Sequence, residues 1–227
     1  MNDASVLIYS CDKYADIWKP FFTLFFRYWD CPYDVYLATE SVDCDLIGVQ
    51  TLHGSGSWTD IMRECLEQIP TRYVIGMCED MFFRREVDQQ TISNCISTMD
   101  ENPYIACMNF EKEYDETEPC DVYLFGRKPF NAPYRLSCQP TLWRRSALME
   151  LMHGSMSAWE WELSSPQATN KYDYLIWTGD EDELVFEYGY HNHNWFGIRK
   201  GKWVANDVIP LFEREGIEVD FSKRGTV

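Results

Sequence analysis

The stretch "RYVIGMCEDMFF", Arg72 to Phe83, decides how this chain is read. Tyr73 to Cys78 is a short uncharged apolar run, the pattern of a parallel strand buried on both faces. Two adjacent carboxylates, Glu79 and Asp80, follow at once, and then apolar Met81, Phe82 and Phe83. An isolated carboxylate costs several kcal/mol to desolvate, so the pair needs water, a cation or a hydrogen-bond donor beside it. In open α/β sheets ligands bind at the carboxyl ends of the strands, and hard carboxylate oxygens there suit Mg²⁺ or Mn²⁺. The competing reading is a solvated strand end whose acids cap the next helix or pair with Arg84 or Arg85. The residues alone leave both open.

Outward from this stretch the chain alternates strand and helix. "SVLIYS" (Ser5 to Ser10), "YDVYLAT" (Tyr33 to Thr39), "IGVQTL" (Ile47 to Leu52) and "YIACMNF" (Tyr104 to Phe110) have the composition of strands. "IWKPFFTLFFRYW" is a helix pattern with Asp16 as its expected N-cap and Pro20 in its first turn. In "SWTDIMRECLEQIP" the apolar residues Trp58, Ile61, Met62, Cys65, Leu66 and Ile69 recur at helical spacing. Ser57 is placed to cap this helix and Pro70 to stop it. A further helix is expected near Val87 to Met99. Beyond Glu111 an acidic segment leads to shorter strands, "DVYLF" and "YRLSCQPTLW", and to the helix "RRSALMELMHG", ended by Gly154.

The expected fold is α/β, a single domain with a mixed, mostly parallel sheet flanked by helices. Residues 1–110 form a nucleotide-binding half, and residues 111–227 a more irregular half. The strand-end rule brings Cys11, Asp12 and Lys13, the loop Gly54 to Trp58, and Glu79 with Asp80 to one edge.

Bulk properties narrow the partners. The chain has 227 residues and a formal net charge of −17, which opposes binding to nucleic acid phosphates and favours a small molecule. If that molecule is anionic, a metal ion is expected to help bind it. The nine cysteines contain no C-x-x-C pair and are expected to be reduced, as in a cytoplasm. No apolar run of 18 residues and no signal-peptide pattern is present.

Other motifs carry two readings each. "HGSGSW" (His53 to Trp58) offers amides to an anion or makes a plain turn. Arg63, in the following helix, reaches a phosphate or lies on the exposed face. In "GSMSAWEWELSS", Ser157 and Glu160 have capping-box spacing, while Glu160 beside Trp159 and Trp161 also suits a general base between sugar-stacking walls. His191 and His193 are either turn residues or the completion of a metal site. The D-x-D triplets at Asp43 to Asp45 and Asp180 to Asp182 are expected to be solvated loops. No P-loop is present.

Taken together, "LIYSCDKYADIWKPFFTLFFRYWDCPYDVYLATE", "YVIGMCEDMFF", "YRLSCQPTLWRRSALMEL", "SAWEWE" and "GIRKGKWVANDVIPLFEREGIEVD" resemble small bacterial glycosyltransferase-like proteins of capsule and lipopolysaccharide biosynthesis, which have a GT-A fold. The resemblance implies sugar transfer from a nucleotide-sugar to a hydroxyl acceptor such as a glycan, with Mn²⁺ or Mg²⁺; inversion is expected because no second carboxylate is clearly placed as a nucleophile. It makes residues 1–110 the donor half and 111–227 the acceptor half. It assigns Cys11, Asp12, Lys13, Trp58, Asp60, Arg63, Glu79 and Asp80 to the donor, and Gln139, Trp143, Trp159 and Trp161 to the acceptor. Asp80, Glu79, His191 and His193 become metal ligands, with Glu79-Asp80 standing where the family has D-x-D. Glu160 becomes the base, with Glu162 second. A glycosyltransferase acting on hydroxymethylated DNA bases, and a non-catalytic nucleotide-sugar-binding protein of the same fold, remain as alternatives.

Overall fold

The computed structural model describes residues 3–111, 117–164, 171–180, 183–188 and 196–227. Four parallel strands form its first part: β1 (Ala4–Tyr9), β2 (Asp34–Thr39), β3 (Val49–His53) and β4 (Tyr73–Cys78). Three helices connect and follow them: α1 (Ala15–Tyr28), α2 (Trp58–Gln68) and α3 (Gln89–Glu101). The chain continues through β5 (Ile105–Asn109), β6 (Glu118–Pro119), β7 (Phe125–Arg127), β8 (Thr141–Arg144), α4 (Arg145–Leu151) and α5 (Ala158–Leu163). Then come β9 (Asp173–Trp177), a small hairpin of β10 (Ile198–Arg199) and β11 (Lys202–Trp203), and α6 (Ala205–Glu215).

Among the described residues one sheet of nine strands runs in the order β3-β2-β1-β4-β8-β5-β9-β7-β6. It is mixed and Rossmann-like, as expected: β8 lies antiparallel between β4 and β5, and β9 is parallel to β5. Side chains alternate across the sheet into two cores. Val6, Ile8, Ile75, Met77 and Trp177 meet α1, α3 and α6 on one face. Leu7, Tyr9, Val74, Trp143 and Tyr174 meet α2, α4 and α5 on the other. Among the described residues no helix is long and apolar enough to cross a membrane. All nine cysteines are free.

Several expected boundaries shift for local reasons. The third strand begins at Val49 because Gly48, at φ +87°, turns the chain. Of "DVYLF" only its last residue enters a strand, because Leu124 sits at φ +61° and breaks the extension. "YRLSCQPTLW" is mostly loop, with Tyr134 at φ +50°, and pairs only from Thr141. Asp16 is not the N-cap of α1. Tyr14 holds that position after a 3₁₀ turn, and Asp16 lies inside the first turn, where its carboxylate accepts from Arg224 Nε at 2.8 Å.

One close approach fixes the middle of the sheet. A Cβ at Gly76 would stand 1.9 Å from the hydroxyl oxygen of Tyr9 and 2.5 Å from Cζ. Tyr9 cannot yield, because it is buried and packs edge-on against Trp58 with ring centroids 5.7 Å apart. Gly76→Ala therefore overpacks the sheet beside the site. It should lower stability by about 1–3 kcal/mol, read as a reduced urea midpoint.

Candidate active site at the carboxyl edge of the sheet

The carboxyl ends of β1 and β4 are neighbours, so Ser10 and Glu79 meet there. Ser10 Oγ donates to Glu79 Oε1 at 2.7 Å, and the Trp18 indole N–H from α1 donates to Ser10 Oγ at 2.7 Å. This relay holds Glu79 in a buried position. Asp80 is different: its Oδ1 is buried and has no hydrogen-bond partner. Burial raises both carboxyls above their ordinary range, and in Glu79 the charge of Asp80 adds to the effect while Ser10 opposes it. Met81, Phe82 and Phe83 are buried in the core, as their sequence implied.

Three segments surround the acid pair on the α1 side. The main-chain oxygen of Asp80 accepts from Gly197 N at 2.8 Å, which hangs the β10–β11 hairpin from the acid pair. Trp203 N donates to Gly225 O, and Val227 N to Trp203 O, so residues 221–227 lie along that hairpin. From there Arg224 stacks over Tyr14, with 4.3 Å to the ring centroid, and its guanidinium donates to Lys13 O at 2.6 Å. The loop Cys11–Tyr14, the acid pair, the hairpin and residues 221–227 thus close on one another. The Arg224 charge reaches Glu79, and the charges of Glu79 and Asp80 reach Tyr14.

On the opposite face lie Tyr9, Trp58 and the loop before β8. The Cys78 and Cys138 thiols act on one another electrostatically. Glu162 Oε1 accepts the Cys138 backbone N–H at 2.7 Å, and Glu162 and Asp80 both act electrostatically on the Cys138 thiol. Glu162 therefore ties α5 to the loop before β8. Glu160 does not share that position. Its Oε2 takes the Ser157 N–H and hydroxyl, both at 2.8 Å, in a complete capping box, and these bonds lower its pKa. Of the two glutamates, Glu162 holds the Cys138 N–H and Glu160 closes the helix end.

The remaining predicted residues divide cleanly. Trp161 is fully buried, with its indole N–H on Leu151 O, and packs against Trp58 and Trp143. Trp143 is fully buried as well. Neither offers a ring face to a sugar. Trp159 is 63% exposed and meets Tyr134 edge-on at 6.2 Å. Gln139 is half-buried at the sheet edge, its Oε1 accepting from Tyr188 Oη at 2.6 Å.

Cys11 is held between the acid pair and Glu40, and burial pushes its thiol up to about 11. Asp12 is turned to the β2 loop: its carboxylate accepts from Ser41 and Val42 and is lowered to about 2, chiefly by the Ser41 hydroxyl. Lys13 is exposed. Asp60 forms a capping box with Ser57 and pairs with Arg63 at 2.9 Å, so Arg63 is already engaged. In the glycine loop, Ser55 N and Ser57 N already donate to Glu64 and Asp60, so these amides are not open to an anion. His191 and His193 lie outside the described residues.

Sequence reasoning missed Ser10, Trp18, Tyr14 and Arg224. No short motif marks them. Only the i to i+69 contact of Ser10 with Glu79 and the i to i+208 contact of Asp16 with Arg224 reveal them.

No family model and no curated protein matches the chain. Similar solved structures include 2-C-methyl-D-erythritol 4-phosphate cytidylyltransferase from Thermus thermophilus, at 16% identity and TM-score 0.49 over 79% of this chain and 90% of that one. The bifunctional IspDF from Campylobacter jejuni is similar at 9% identity and TM-score 0.46, over 80% of this chain and 51% of that one. S. aureus TarS is similar at 14% identity and TM-score 0.44, over 78% of this chain and 37% of that one. The chain thus spans about half the length of IspDF and just over a third of TarS.

The acid pair makes stability depend on pH. A carboxyl with a raised folded pKa keeps a proton that the unfolded chain releases above pH ~4. The pair's contribution is therefore present at low pH and lost as pH rises toward and through the folded values. Without divalent cation, the urea midpoint should fall between pH 5 and pH 8. Asp80→Asn should flatten that fall and be more stable than wild type at pH 8 by on the order of 2 kcal/mol.

Proposed function

We propose that the chain is an inverting glycosyltransferase that moves a sugar from a nucleotide-sugar to a hydroxyl of a glycan. The observation that carries this reading is the Glu79-Asp80 pair at the end of β4, with Glu79 buried, Asp80 half-buried with an unpartnered buried Oδ1, and Arg224 acting on Glu79. Only a ligand with a strongly polar group makes such an edge useful, and a diphosphate has that chemistry.

The donor set fits Mn²⁺ or Mg²⁺. Such ions take one or two carboxylates plus phosphate and water, and an orphan carboxylate oxygen is available in Asp80. Asp80, with Glu79 behind it, would be the carboxylate share of its ligands. When bound, the ion would neutralise charge on the departing diphosphate.

The chain's own residues account for the rest. Glu162 takes the proton of the acceptor hydroxyl as its oxygen attacks the anomeric carbon. The bond from that carbon to the phosphate oxygen breaks in the same step, and its electrons leave with the diphosphate. Inversion follows from this single displacement. The relay from Trp18 through Ser10 keeps Glu79 in place. Trp159, exposed beside Tyr134, offers an aromatic face to a pyranose ring of the acceptor. The net charge of −17 argues against a DNA acceptor.

A panel of nucleotide-sugars, assayed with and without Mn²⁺, tests the reading. Release of nucleoside diphosphate matched by glycosylated acceptor supports it. Tight binding without turnover would leave a binding protein instead. Glu162→Gln should lower kcat by about 10²–10⁴-fold, and Glu160→Gln by less than about tenfold, since only a helix cap is weakened. The reverse order would return the base to Glu160.

A further inference from the structure

The two edges of the nine-stranded sheet are finished differently. At one edge β6 is two residues long and ends in Pro119, and both features discourage a further strand. At the other edge β3 has five residues and, among the described residues, pairs only with β2. It contains no lysine and no proline, and its register with β2 is unbroken. Gly54 N donates to Thr39 O, and the two-residue period of the ladder then turns Gln50 and Leu52 toward β2. The N–H and C=O of Thr51 face the open side. An edge of this kind is a template for strand addition, which natural sheets commonly block.

The surroundings of β3 select the kind of strand that fits. Ile47, just before it, is 97% exposed, and half-exposed Phe26 lies against the Gly48 turn. The charge is one-sided. Residues 30–71 hold eight acidic side chains and a single lysine or arginine, Arg63, which Asp60 already pairs. Asp43 and Asp45 are exposed in the loop whose Cys44 and Leu46 pack on the α1 face of the sheet. Asp43 meets His53 Nε2 at 3.0 Å, yet its side chain stays 78% exposed. On the other face, exposed Glu67 belongs to α2, whose Gln68 Nε2 reaches His53 O at 3.5 Å. The open edge thus runs between two acidic flanks. A second copy of the chain would bring the same acids to the same edge, and like charges repel there. A strand with basic side chains is attracted.

We propose that the free edge of β3 is a docking site for an extended, lysine- or arginine-bearing peptide segment of a partner protein, which adds to the sheet as a further strand. Thr51 supplies main-chain pairing, Ile47 and Phe26 receive an apolar side chain, and Asp43, Asp45 and Glu67 receive the basic ones. Two strands, β2 and β1, separate β3 from β4, so the docked segment leaves the acid pair free. The proposal is independent of the glycosyltransferase reading.

The probe is a fluorescein-labelled Lys-Val-Lys-Val-Lys-Val amide, titrated into the full chain at low ionic strength and read by fluorescence anisotropy. Wild type should bind it, added salt should weaken binding, and amide hydrogen exchange at Thr51 should slow in the complex. The same peptide with glutamate for lysine should bind at least about tenfold more weakly. So should the lysine peptide N-methylated at every residue, which keeps its charge and cannot pair as a strand. Asp43→Lys/Asp45→Lys, checked for an unchanged thermal midpoint, should lose about tenfold or more in affinity. Glu213→Lys/Glu218→Lys, with the same change of net charge elsewhere, should lose less than about threefold. The comparison of peptides decides even where a variant fails to fold. No binding by wild type, equal binding of the acidic or N-methylated peptide, or equal loss in both double variants overturns the proposal. So does a dimer of the chain alone, seen by light scattering and abolished by Thr51→Pro, since the occupant is then a second copy.

Discussion

Two adjacent carboxylates at the end of a central strand, one buried and one half-buried, constrain everything around them. Their charges are stable there only with donors or cations close by, and the fold supplies these from distant parts of the chain. Ser10 and Trp18 come from the first strand and helix to satisfy Glu79. The hairpin at 198–203 attaches to the Asp80 backbone, and Arg224 arrives from the far end of the described residues. Asp80 Oδ1 is buried without a hydrogen-bond partner, as is the Tyr9 hydroxyl near the same edge. An unpaired buried oxygen is unfavourable by itself, and it persists where a ligand completes it.

Much of this was legible in the residues. The alternation of short apolar runs with helical patterns identified the strands that lead to the site, and the capping chemistry of Ser57 and Ser157 is present in the structure. What could not be read depends on φ values and on long-range contacts. Leu124 and Tyr134, both at positive φ, turn segments that look extended into loops. The strand Asp173–Trp177 hides in "YDYLIW", whose residues are apolar on both faces because both faces are covered.

The two readings of "WEWE" show the same limit. Spacing alone puts Glu160 in a capping box and also beside two tryptophans. The structure has the cap, and it separates the aromatic pair: Trp161 goes into the core and Trp159 to solvent. Six residues of helix are too few for periodicity to decide which face is buried. Glu162 enters the picture only through the loop before β8, which brings Cys138 to the same edge as Cys78.

The place of β8 in the sheet has a consequence for how the chain is made. Residues 141–144 fill the gap between β4 and β5, which are complete by residue 109. During synthesis, β4 and β5 emerge with their facing edges unpaired, and they wait for a strand that is more than thirty residues away. Non-local pairing of this kind is slow, and it exposes apolar edges in the interval. Residues 1–110 are therefore not a unit that closes its own sheet. A ribosome-bound fragment that ends before Thr141 carries an open seam through its middle, next to the acid pair, and is the species for a chaperone to hold.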